Sequence, residues 1–173
     1  MMDTKQKLEF VQLNADDAVL CQCFSDLMYC YIAEMNEHSH RPLPEAYWQR
    51  WIDSIIASLG PTDRHLELCR WGETWIGFLY GKVDHEDHKG FIRPGLGYIL
   101  EFFVKPEFRR RGLGKQMLFR LEALFRQDGA VQMYLTADPV TGKPFWEAVG
   151  FENTGVRSPD NQLLIYEKMI QEI

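Results

Sequence analysis

The sequence predicts an α+β (mixed α/β) domain with helices packed on a central, mostly antiparallel sheet. Three observations carry this. An apolar, aromatic-rich run, Tyr98-Ile99-Leu100-Glu101-Phe102-Phe103-Val104, reads as a strand, and Pro106 ends it because proline has no N–H to give a ladder. From Leu113 the apolar period lengthens, so that Leu113, Met117, Leu118, Leu121, Leu124 and Phe125 fall on one helical stripe. Along the whole chain, segments of the two periods succeed one another in the order β-α-α-β-β-β-α-β-α-β-β.

The elements follow in that order. Residues 7–13 alternate as a first strand, with Leu8, Phe10 and Val11 its best core candidates. Asn14 or Asp16 is placed to cap the next helix, since a short side-chain oxygen can accept its free N–H groups. That helix carries Leu20, Phe24, Leu27 and Tyr31 and ends near Asn36 to His40. A second helix starts near Pro44, shows Trp48, Ile52, Ile55 and Leu59, and stops at Gly60-Pro61. Two strands, His65–Arg70 and Thr74–Asp84, are joined by the tight turn Trp71-Gly72-Glu73. Residues 85–96 are charged and contain glycine and proline, so they read as an exposed loop. The aromatic strand (97–104) and the long helix (113–127, closed by Asp128-Gly129) come next. A strand at 131–136, a short helix at 144–149 closed by Gly150, and a hairpin-like pair at 151–157 and 162–168 complete the order.

At 173 residues, with 46% hydrophobic content and no internal repeat or linker, the chain reads as a single domain over 1–173. No run approaches the roughly 18 apolar residues of a membrane span, and Met1-Met2-Asp3-Thr4-Lys5-Gln6 lacks an apolar signal segment. The expectation is a cytoplasmic protein without a membrane partner. Cys21, Cys23, Cys30 and Cys69 form neither a CxxC pair nor a zinc-like spacing, and read as buried or partly buried free thiols. Net charge is −6, which argues against a nucleic-acid partner. Positive charge is instead local, at Lys105, Arg109, Arg110, Arg111 and Lys115 around the glycine turn. An acidic body with one basic patch suits an anionic cofactor and a cationic acceptor. His38-Ser39-His40 and Asp84-His85-Glu86-Asp87-His88 look like metal-ligand groupings but lack cysteine partners and defined spacing, so no metal is expected.

The order strand, glycine-containing basic turn, helix leaves unpaired backbone N–H groups at a helix N-terminus, where the dipole favours an anion. Gly112 and Gly114 admit a close approach to the backbone. Arg109-Arg110-Arg111-Gly112-Leu113-Gly114 resembles the pyrophosphate-binding signature of the GNAT superfamily of acetyl-CoA-dependent N-acetyltransferases: Arg or Gln, two residues, Gly, one residue, Gly or Ala. Phe145-Trp146-Glu147-Ala148-Val149-Gly150-Phe151, one strand later, looks like that family's late helix. The two motifs cover roughly residues 97–151. The resemblance implies an acyl-CoA N-acyltransferase-like fold whose central sheet splays beside the signature strand, opening a slot for the pantetheine arm of acetyl-CoA (coenzyme A), the co-substrate. It implies transfer of the acetyl group to a primary amine by direct attack in a ternary complex. The acceptor would be a small amine or a peptide amine. Homodimers are common in the family.

The resemblance also distributes roles. Arg109, Arg110, Arg111, Gly112, Leu113, Gly114 and Lys115 would bind the cofactor, the backbone N–H groups of Arg109 to Gly114 holding the pyrophosphate while the Arg110 and Arg111 side chains supply peripheral charge or contact the ribose phosphate. A backbone amide at the end of the signature strand, Phe103 or Val104, would polarise the thioester carbonyl. An amine of pKa about 10.4 is mostly protonated at pH 7, and freeing its lone pair costs about 4–5 kcal/mol, so a general base is needed. Glu101, the one acid in an apolar strand, is the candidate; the alternative is that it pairs with an arginine or faces solvent. Many family members carry a tyrosine five residues before the Phe of Gly-Phe as general acid. Here that position is Trp146, whose indole is a very poor acid, so Trp146 would serve as cofactor-pocket wall; a thiolate of pKa about 8.5 can leave unaided, and water, Tyr134 or Tyr98 could stand in as proton donor. The missing tyrosine also keeps open a non-catalytic module that senses acyl-CoA. Glu34, Glu37, His38, His40 and Arg41 fall where this fold usually places its acceptor.

Overall fold

A computed structural model describes residues 6–172. The first five residues of the segment searched for a targeting signal lie outside the described residues. The elements are β1 (Leu8–Gln12), α1 (Ala18–Glu37), α2 (Trp48–Ala57), β2 (Arg64–Trp71), β3 (Thr74–Val83), β4 (Gly97–Val104), α3 (Leu113–Gln127), β5 (Gln132–Thr136), α4 (Lys143–Ala148), β6 (Glu152–Arg157) and β7 (Leu164–Met169). This is the expected order. Short 3-10 turns precede α2 at Glu45–Tyr47 and α3 at Pro106–Phe108.

Seven strands form one sheet in the order β1-β2-β3-β4-β5-β7-β6. All neighbours are antiparallel except β4 and β5, which are joined through α3 and run parallel. Their contact is short: only Gly97↔Met133 and Tyr98↔Tyr134 pair. Beyond Tyr98 the edge of β4 is unpaired, while β5 stays bonded to β7 as far as Thr136. The two strands therefore diverge into a gap beside residues 99–104.

Each sheet face carries its own core. Phe24, Leu27, Met28 and Ile32 of α1 and Ile52 and Ile55 of α2 pack on Leu66, Leu68, Phe78, Tyr80 and Phe103. On the other face Leu113, Met117, Leu118, Leu121, Leu124 and Phe125 of α3 and Trp146 of α4 pack on Ile76, Leu79, Ile99, Val104, Met133 and Leu135. The α3 stripe read from the sequence is the buried one. Phe125 fits against the sheet because a Cβ on Gly97 or Gly81 would stand 2.4 or 2.5 Å from its ring.

Several local expectations differ from the structure. Asp17, not Asn14 or Asp16, caps α1, its Oδ1 accepting from Val19 and Leu20 N–H at 3.1 Å each. Asn14 instead takes Asp16 N–H, closing the turn that presents Asp17. In β1 the buried positions are Leu8 and the following Leu13, while Phe10 and Val11 are half-buried. The loop 85–96 is exposed over most of its length, including Pro94 and Gly95, but His88, Phe91 to Arg93 and Leu96 lie partly under cover. Cys30 is exposed, and all four cysteines are free. No helix among the described residues is long and apolar enough to cross a membrane.

Candidate active site

Strict alternation along β4 would place Glu101 on the α3 face with Ile99. It does not, because Tyr80 pairs with Glu101 and Gly81 with Ile99, leaving Leu100 as an extra residue. This bulge shifts the phase, so Leu100, Glu101 and Phe103 meet the α1 side while Phe102 and Val104 turn to α3. The Tyr31 hydroxyl on α1 donates to Glu101 Oε2 at 2.5 Å. Glu101 is half-buried, and burial pushes its carboxyl up from the usual 4.5 to about 7, with the Tyr31 hydrogen bond acting in the opposite sense. A carboxylate balanced near neutrality beside a gap in a sheet can take a proton at physiological pH.

The backbone donors of β4 sort by strand geometry. Lys105 N–H donates to Ile76 O at 2.7 Å, and the Phe103 carbonyl lies against β3, so close that a Cβ on Gly77 would stand 2.0 Å from its oxygen. Successive residues alternate sides, so the amides of Phe103 and Lys105 belong to the β3 ladder and those of Phe102 and Val104 face the gap. Of the two amides named from the sequence, Phe103 is therefore engaged and Val104 is available.

At the far end of the gap the turn 109–112 leads into α3. Arg110 and Gly112 both have left-handed backbones, φ 60° and 76°. No side chain caps α3, and its first internal bond runs from Gln116 N–H to Gly112 O, so the N–H groups of Leu113, Gly114 and Lys115 have no acceptor among the described residues. Alternating left-handed residues before an uncapped helix make a concavity of donors suited to an anion. Gly112 needs its missing Cβ for this backbone and has open space around it. Gly114 has another reason: a Cβ there would press on the Phe145 ring at 3.3 Å, so this glycine seats α3 against α4. Leu113 buries its side chain in the core and offers only its N–H. Arg110, Arg111 and Lys115 are exposed, with Arg111 lying over the Phe108 ring.

Arg109 behaves differently from its neighbours. Its N–H is taken by Pro106 O, and its side chain donates from Nε to Val104 O at 2.8 Å and from Nη2 to both carboxylate oxygens of Glu34 at 2.8 Å. It ties the turn to α1. Glu37, His38, His40 and Arg41 are exposed.

Tyr134 sits at the vertex of the gap, stacked on Tyr98 with ring centroids 4.6 Å apart. Its hydroxyl donates to Asp84, which is fully buried and also accepts Arg93 N–H at 2.8 Å. Asp84 Oδ1 lies 3.0 Å from Lys82 Nζ, out of hydrogen-bond alignment. Burial and the Asp84 hydrogen bond push the Tyr134 phenol far above its usual range. A phenol held this way is a poor donor to a leaving thiolate, so the geometry turns Tyr134 from proton donor into a strut between β5 and the end of β3. The sequence reads Asp84-His85-Glu86-Asp87-His88 as an exposed charged stretch, whereas Asp84 is fully buried. Instead His85 pairs with Asp63 and His88 Nδ1 meets Lys82 Nζ at 2.8 Å. No group of three or more potential metal ligands converges among the described residues. Trp146 is buried, edge-on to Phe102, Phe145 and Phe151 at 5.2, 4.8 and 5.3 Å. It packs behind the gap as part of the wall.

The model of the acetyltransferase (GNAT) family matches residues 23–151. The chain belongs to this family. The fold agrees with solved structures. One is the PaiA N-acetyltransferase from Thermoplasma acidophilum in complex with coenzyme A, with TM-score 0.68, 19% identity, and coverage of 94% of this chain and 99% of that one. Another is a GNAT-family acetyltransferase from Staphylococcus aureus Mu50, with TM-score 0.73 at 11% identity over 95% of this chain and 100% of that one. An aminoglycoside 6'-acetyltransferase type Ii gives 0.68 at 14% identity, covering 95% and 99%. No curated protein matches by sequence. Membership makes this GNAT chain an acyltransferase of mixed α+β fold with a splayed, mostly antiparallel sheet.

Tyr31 is the residue that sequence reasoning missed, since its spacing placed it in a core stripe. A tyrosine among aliphatic positions was the available signal, because a buried hydroxyl requires a partner.

Proposed function

We propose that this GNAT protein transfers the acetyl group of acetyl-CoA to a primary amine in a ternary complex, with a small amine or a peptide amine as acceptor. The observation that carries the reading is Glu101, a half-buried carboxyl of pKa about 7, on the strand edge that borders the β4–β5 gap. Family membership supplies the cofactor class. The uncapped N–H groups of Leu113, Gly114 and Lys115, with the open backbone at Gly112, fit a pyrophosphate. Arg110, Arg111 and Lys115 add attraction from the surface. The gap beside β4 fits an extended arm that bonds to the free strand edge.

Acetyl-CoA supplies an activated thioester, whose C–S bond breaks as the amine nitrogen bonds to the acetyl carbon. Glu101 takes the proton that the amine must lose. The Val104 N–H, fixed before reaction, stabilises the charge that develops on the acetyl oxygen. The thiolate leaves unaided, its pKa being about 8.5 by analogy with cysteine, and is protonated from solvent. This arrangement needs neither Trp146 nor Tyr134 as an acid.

The test is CoA release from acetyl-CoA with a mixed amine panel, read by chromatography, since the free cysteines would confound a thiol dye. Release that depends on one amine class supports the transferase and names its acceptor type. A protein that binds acetyl-CoA and releases CoA with no amine or peptide would be a sensor of acyl-CoA, and the proposal would be wrong.

A further inference from the structure

Tyr31 and Glu34 are one helical turn apart on α1, and both reach across to the signature strand and its turn. Tyr31 holds Glu101 Oε2, and Glu34 holds Arg109, whose Nε is fixed to Val104 O. The Tyr31 ring is packed between Phe78 and Phe103, at 5.6 and 5.5 Å, and the Arg109 guanidinium lies over the same Phe103 ring, 5.8 Å from its centroid. Glu101 Oε1 takes no hydrogen bond from the described residues.

We infer that α1 positions the base: Tyr31 fixes one oxygen of Glu101 and leaves the other for the amine, and the Glu34–Arg109 pair locks this helix to the cofactor-binding turn. The base is then set only when the turn is in place, which couples amine activation to the cofactor end of the site. The inference rests on the proposed transferase reading for its kinetic consequences alone.

The other polar groups around Glu101 do not supply this function. Tyr80, directly across on β3, has its hydroxyl engaged by Arg64 at 2.6 Å and lies 3.0 Å from the Ser58 hydroxyl. Tyr98 on β4 is stacked on Tyr134. Asp138, after β5, uses Oδ1 to close its own turn with Val140 and Thr141. Among the described residues only Tyr31 donates to the carboxylate.

The experiment is a ¹³C carboxyl NMR titration of Glu101 in the ligand-free protein, assigned with E101Q, for wild type, Y31F, E34Q and the double variant. Y31F retains the ring packing, and Glu34 is at the surface of α1, so both variants should fold. Losing the donor should raise the Y31F midpoint by roughly one pH unit. E34Q should raise it by less, although deleting a negative charge would by itself lower it. The double variant should show no more than the Y31F shift, since both act through one contact. In turnover, Y31F should lose about fivefold at pH 7 and almost nothing at pH 9, as a one-unit shift of the base requires. An unchanged Y31F midpoint, a downward shift in E34Q, or additive shifts would overturn the inference. Shifts as expected, in a protein that acetylates no amine, would refute the transferase and leave the positioning intact.

Discussion

Glu101 should cost the protein stability, and the cost can be worked from its surroundings. Its carboxyl stands at about 7 in the folded chain against 4.5 in an ordinary setting. Each unit is about 1.4 kcal/mol, so ionised Glu101 destabilises the fold by about 3 kcal/mol relative to its protonated form, as an upper value. The sign follows from proton binding. A group with a raised folded pKa stabilises fully below its unfolded pKa, and that stability is lost as pH rises through the folded value. The loss runs from about pH 4.5 to about pH 7 and is complete by pH 8. Glu101→Gln removes the titration while keeping an oxygen to accept from Tyr31, so its stability advantage over wild type should be near zero at pH 4.5 and reach about 1–3 kcal/mol at pH 8. Urea unfolding of both proteins at pH 4.5, 6 and 8 measures this difference. A difference independent of pH, or a Gln variant less stable at pH 8, would refute the reasoning, because Glu101 would then be solvated or fully paired. The same substitution should lower turnover at pH 7 by about 10²–10⁴-fold and abolish the acidic limb of the kcat profile.

Gly112→Asp should abolish coenzyme A binding in calorimetry, because a side chain and a charge would occupy the open space over the α3 donors, and retained affinity would displace the cofactor from this turn. Gly112→Ala should cost about 1–2 kcal/mol through its left-handed backbone alone, read by thermal unfolding. At Gly77 an added Cβ would meet the Phe103 carbonyl at 2.0 Å, so Gly77→Ala should destabilise by about 3 kcal/mol or prevent folding; a smaller loss would mean that β3 and β4 can move apart. Asp17→Ala should cost about 1 kcal/mol, and Asp16→Ala much less, distinguishing the cap observed from the one expected.

Element order was legible in the sequence because each element carries its own period. The stripe from Leu113 to Phe125 identifies α3 and its buried face without any partner being known. The glycine turn was legible as an anion site only together with the later Phe145–Phe151 motif, because two glycines between a strand and a helix also serve an ordinary helix start or close packing, as Gly114 does. What the sequence could not place depends on pairing. Asp84 looks like one more acid in a charged loop, and only its contacts with Tyr134, Arg93 and Lys82 make it the buried hub at the end of β3. Arg109 reads as the first position of the cofactor signature, and only the approach of α1 shows its side chain tied to Glu34 and Val104 O. Phe103 and Val104 are alternatives until the β3 ladder assigns one amide to each side.

The bulge at Leu100 and the short pairing of β4 with β5 are both departures from a regular sheet, and the site depends on both. Without the bulge, Glu101 would point into the apolar core under α3, where burial would favour its protonated form. Without the divergence after Tyr98, the free edge of β4 would be covered by β5, and the Val104 amide would be spent on a ladder. Each irregularity forgoes sheet hydrogen bonds or packing. Together they leave an acid and a backbone donor on neighbouring positions of one strand, with an uncapped helix beyond. Restoring regular strand geometry at Leu100 or past Tyr98 would favour the sheet and remove the chemistry proposed for Glu101 and Val104, so on that proposal this part of the fold trades stability for activity.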